Sequence, residues 1–137
     1  MDSESEINLD LLTLVNMLLH SSYQFFFLSS ISRKLNLTGF AWATMLKENK
    51  CKDSALVLLD WINNHEGTLQ LAEVAEPRFV PSDLSPEFVV TRWDEVEKWL
   101  KIKIDNIRDK VLGSDIQDKL LTIQMLDLIM DNILSYS

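Results

Sequence analysis

Side chains able to do chemistry are few in this chain, and their spacing does not bring them together. His20, His65 and Cys51 are the only imidazole and thiol groups in 137 residues. A metal site on a helix face is commonly built from a carboxylate three residues before a histidine, so that both ligands project from one side. Here Met17 precedes His20 and Ile62 precedes His65 at that spacing, so the pattern is absent. No nucleophile, histidine and carboxylate form a recognisable set, and no Gly-rich stretch could cradle a phosphate. Enzymatic chemistry is not expected. His65 falls where a helix should end, and an imidazole there interacts favourably with the helix dipole. His20 has no partner at ligand spacing. Cys51 shares a helical stripe with Ala55, Leu58 and Ile62, which reads as a small buried hydrophobe.

The elements that must carry these residues follow from composition. Apolar residues make up 47% of the chain, with only three Gly and three Pro. That is enough apolar material for one domain with a core, and too little turn chemistry for a multi-stranded sheet. An all-α fold in a single domain over 1–137 is expected. The net charge of −8 excludes the usual phosphate-binding mode of nucleic-acid partners, which needs a clustered Lys/Arg face. One cysteine allows no internal disulfide, and the acidic start Met1–Glu6 lacks a secretory n-region, so an intracellular, cytoplasmic location is expected. Leu11 to Ile31 is apolar almost to membrane length. Asn16, His20, Gln24 and several serines interrupt it, which favours a buried helix over a membrane span.

Periodicity predicts four helices. The first runs from about Glu6 to Lys34, opened by a Ser3-x-x-Glu6 box, with Ile7, Leu11, Leu14, Leu18, Ser21, Phe25 and Leu28 along one seam. The second starts with Thr38 as N-cap and reaches about His65. The third opens at Ser85-Pro86, carries Val89, Trp93, Val96, Leu100, Ile104, Ile107 and Val111, and stops at Gly113. The fourth is expected from a Ser114–Gln117 capping box, with Ile116, Leu120, Ile123, Leu126, Met130 and Ile133 inward. Between Glu66 and Leu84 periodicity dissolves over about twenty residues. A connection that long suits two parallel helices whose ends must be joined across the length of a bundle.

Gly39-Phe40-Ala41 opens the second helix, Trp61-Ile62-Asn63-Asn64-His65-Glu66-Gly67 closes it, and Leu69-Gln70-Leu71 leads to Glu76-Pro77. This succession resembles the second helix and crossover of ferritins. The resemblance implies a ferritin-like four-helix bundle with one long crossover between helices two and three. It also implies where the iron-oxidising ligands would fall. The helix-one glutamate falls on Leu18, the helix-two Glu-x-x-His pair on Cys51 and Ser54, and the acidic position before it on Lys50. The helix-three glutamate falls near Asp94 and the helix-four glutamine near Leu128. These degenerate positions imply no metal, no cofactor and iron held only weakly if at all. The cavity-surface glutamates of light-type ferritin subunits fall on Trp42, Met45, Leu46 and Asn49. The haem-ligating methionine of bacterioferritins falls on Lys52. Ser135-Tyr136-Ser137 follows helix four directly, where cage ferritins continue into a fifth helix.

Surplus apolar residues then suggest association. Leu12, Val15, Leu19, Phe26 and Phe27 lie off the helix-one seam, and Trp42, Met45 and Leu46 crowd the start of helix two. With Leu69 and Leu71 they form the expected interface of a homodimer, or of a hetero-oligomer with ferritin-like subunits. The leading expectation is a catalytically inactive ferritin-family subunit with a structural, assembly or interaction role, co-assembling with active ferritin chains. The alternatives are an accessory, light-chain-like iron-storage subunit, with mineral contacts at Asp94, Glu97 or Asp118, and an unrelated helical adaptor module.

Overall fold

Long runs free of Gly and Pro become long helices. The computed structural model describes residues 3–65 and 84–134, and among them every regular element is an α-helix. These are α1 (Ser3–Lys34), α2 (Thr38–Asn64), α3 (Pro86–Leu112) and α4 (Lys119–Leu134). The expected connection from Glu66, including Leu69 and Leu71, falls outside the described residues except for its last member, Leu84.

Local chemistry accounts for most of the boundaries. Ser85 caps α3 by accepting a hydrogen bond from the Phe88 amide at 3.2 Å, and Pro86 occupies the first helical position, where no amide hydrogen is needed. Gly113 ends the helix, its amide bonded to the Asp109 carbonyl at 3.1 Å. α2 enters through Leu37 without a side-chain cap, one residue before the expected Thr38. The expected cap of α4 is not formed. The Ser114 hydroxyl turns back to donate to the Val111 carbonyl at 2.8 Å, and α4 begins only at Lys119. Asp118, just before it, takes a left-handed φ of 58°, and its carbonyl receives the Thr122 hydroxyl. With this later start the buried face of α4 centres on Leu126, Ile129 and Ile133. Leu120, expected inward, lies about 120° round the helix from Leu126 and is 76% exposed.

Side-chain pairs fix how the helices run. Gln24 meets Arg92 while Asp10 meets Lys103 and Lys110, so α1 and α3 are antiparallel. Asn132 meets Ser54 while Asp118 approaches His65, so α2 and α4 are antiparallel. Short turns make α1 antiparallel to α2, and α3 antiparallel to α4. It follows that α2 and α3 point the same way. Backbones approach closely around a ring in which α1 touches α2 and α3, and α4 touches α2 and α3's far side, leaving α1–α4 and α2–α3 as diagonals.

The core runs along the ring's axis through Leu18, Phe25, Leu58, Leu100, Ile104 and Leu126, all essentially inaccessible. Each such side chain contributes about 1.5–3 kcal/mol through removal from water. α1 is the one helix among the described residues long and apolar enough to cross a membrane by length and composition. Two-thirds of its most apolar window, of mean hydropathy 1.3, is buried inside the protein.

Candidate functional site

Polar residues on the helix seams meet within this core. On α2 the seam reads Thr44, Lys47, Cys51, Ser54 and Leu58, all buried, because steps of three and four residues return to the same helix face. Lys47 therefore points inward. Its ammonium lies 2.7 Å from Glu97 Oε2 on α3, and the two side chains are 2% and 7% exposed. It also donates to the Ile133 carbonyl, in the last described turn of α4. The Trp93 ring centroid is 5.6 Å from Nζ, within range of a cation–π contact. One ammonium thus ties α2, α3 and α4 together across the diagonal.

Further polar contacts flank it. Arg92 Nε donates to Gln24 Oε1 at 3.0 Å, and its Nη1 to Glu95 at 2.8 Å. Phe25 meets Trp93 edge-on at 5.5 Å between ring centroids. Asn132 Nδ2 donates to Ser54 Oγ at 3.0 Å and to the Lys50 carbonyl at 3.3 Å. Cys51, one turn beyond Lys47, is fully buried. Burial pushes its thiol up to about 12, with Lys47 opposing the shift and Glu97 adding to it. A thiol held protonated is neither a nucleophile nor a metal ligand.

The residues at the implied iron positions do not fit a metal. Leu18, Cys51 and Ser54 are buried as expected, but they offer packing, a neutral thiol and a hydroxyl already bonded to Asn132. Asp94 is exposed, and the inward position one turn on belongs to Glu97, whose carboxylate faces an ammonium. Leu128 is 63% exposed, and its neighbour Ile129 points inward instead. Among the described residues no group of three His, Cys, Asp or Glu side chains converges. His20 is half-buried on α1. His65 caps α2, stacked on Trp61 at 4.1 Å, with Nε2 3.6 Å from Asp118.

The expected interface residues divide. Leu12 and Val15 belong to the chain's own core and offer no outer surface, a correction to their reading as interface residues. Leu19, Phe26 and Trp42 are exposed, and Phe27, Met45 and Leu46 are partly covered. Lys47 had no place among the expected site residues, and Glu97 entered only as a mineral contact of the alternative iron-storage reading. Their seam spacing, Lys47 four before Cys51 and Glu97 four after Trp93, was the signal available. Compared with protein-family models and with curated proteins, the chain has no match.

Proposed function

We propose that this chain is a ferritin-like bundle without ferroxidase activity, serving as a structural and assembly subunit rather than as an enzyme. The observation that carries the proposal is the Lys47–Glu97 pair. In a ferritin-like bundle the middle of the core is where cationic iron is held by carboxylates. Here a buried ammonium lies one helical turn from Cys51 and already pairs with the Glu97 carboxylate, which is then not offered to Fe(II). The parallel course of α2 and α3 suits a long crossover between them, as the resemblance implies. Leu19, Tyr23 and Phe26 form an exposed stripe on α1, and Trp42 and Leu56 are exposed on neighbouring α2. From Leu11 to Ser32 α1 carries no Asp, Glu, Lys or Arg, so two copies of an acidic chain can meet along it without opposing like charges. A homodimer, or a hetero-oligomer with ferritin-like subunits, is formed through this face.

The test is aerobic addition of Fe(II) to the pure protein. Oxidation no faster than in buffer is the expected result. A saturable acceleration at stoichiometric iron would overturn the proposal.

A further inference from the structure

A groove between α2 and α4, remote from the α1 stripe, has no part in the function proposed above. It encloses about 240 Å³ between Asp53, Ser54 and Val57 of α2 and Leu128, Ile129 and Asn132 of α4. Val57 is 45% exposed and Leu128 63%. Leu121, 51% exposed and two helical turns before Leu128, prolongs the apolar strip along α4. The rim is acidic. Asp53 and Asp60 on α2 and Asp131 on α4 are exposed, and none of the three is in an ion pair among the described residues. Of the nearby cations, Lys50 is half-buried, with its carbonyl bound to Asn132, and Lys52, next to Asp53, pairs with Glu48.

Charge decides between occupants. A second copy meeting the groove by two-fold symmetry would set Asp against Asp, which costs affinity. The chain's own residues 66–83 carry Glu66, Glu73, Glu76 and Asp83 against Arg78 alone, and are equally mismatched. Anionic lipid is repelled by a chain of net charge −8. We infer that the groove docks a basic amphipathic helix of a partner protein. Apolar anchors spaced three or four residues apart lie against Val57 and Leu128, and flanking Lys or Arg side chains pair with Asp53, Asp60 and Asp131. Helix-in-groove recognition works in this way, the apolar anchors supplying affinity and the charged rim supplying orientation and on-rate.

The probe is a fluorescein-labelled synthetic helix of Leu and Lys, compared with its Leu/Glu counterpart, titrated with the full chain and followed by anisotropy. The Leu/Lys helix should bind and the Leu/Glu helix should not. Leu128→Ser removes the apolar floor and should weaken binding about tenfold. Asp53→Lys with Asp131→Lys should weaken it further and flatten its salt dependence. Ile102→Ser, an exposed apolar change on α3, should leave binding unchanged, and circular dichroism should show all variants folded. Equal binding of the two peptides, or binding indifferent to Leu128→Ser and to the Asp changes, would overturn the inference. So would a Leu128→Ser variant that changes the mass of the protein in solution without changing peptide affinity, since the occupant would then be a second copy.

Discussion

Replacing Lys47 by Met removes the ammonium while keeping a side chain of similar length, so the loss falls on electrostatics rather than on packing. Glu97, 7% exposed, would lose the ammonium that faces it, and the Ile133 carbonyl would lose the Lys47 donor. Breaking a buried pair from one side costs about 3–5 kcal/mol, because the orphaned charge stays desolvated. A domain of this size is stable by about 5–15 kcal/mol, so Lys47→Met should remove a large share of the total and lower Tm by about 10–15 °C. Changing both residues, Lys47→Met with Glu97→Leu, leaves neither charge. Buried pairs replaced by apolar side chains are often neutral or better, so the double variant should return to within about 1 kcal/mol of wild type. Urea unfolding followed by circular dichroism at 222 nm would supply the four corners of a double-mutant cycle. If Lys47→Met costs less than about 1 kcal/mol, or if the double variant loses the sum of both single changes, the pair is not the desolvated lock described here.

Three further outcomes are expected. Cys51 should resist thiol reagents in the native protein near neutral pH and react on unfolding. Its folded value of about 12 lies above the ordinary 9.0, so its contribution to stability is intact below pH 9 and is lost as pH rises from 9 toward 12. Urea midpoints of wild type should therefore fall more steeply over that range than those of Cys51→Ala; parallel curves would refute it. Ser85→Ala should cost about 1 kcal/mol and speed amide exchange in the first turn of α3, whereas unchanged exchange would show that the cap is dispensable. Asn36 has φ of 60°, so Asn36→Val should destabilise by about 1–2 kcal/mol, measured by thermal unfolding, and equal stability would argue against that turn geometry.

Helix number and the α3 boundaries were legible because they are decided locally. Ser85, Pro86 and Gly113 act within one turn of themselves, and the seam of α3 is carried by apolar side chains whose spacing alone predicts burial. The start of α4 was not legible. A Ser-x-x-Gln box can cap a helix, but the Ser114 hydroxyl satisfies the Val111 carbonyl instead, a choice set by how α3 ends. The core pair was hidden for another reason. A lysine and a glutamate fifty residues apart carry no sequence signal of pairing, and only packing of the helices makes them partners. Arg92 and Gln24, buried together from α3 and α1, were missed in the same way. Leu12 and Val15 were assigned to an interface because one stripe per helix seemed enough, whereas the structure buries a wider face of α1.

Sedimentation equilibrium of the wild-type chain and of Phe26→Asp tests most directly whether this molecule works by association. Phe26 is 52% exposed, so a charge there should leave the fold intact, as circular dichroism would verify. Wild type is expected to sediment as a dimer or larger assembly, and the variant as a folded monomer. A wild-type chain that remains monomeric at high concentration, or a Phe26→Asp variant that associates as wild type does, would contradict it.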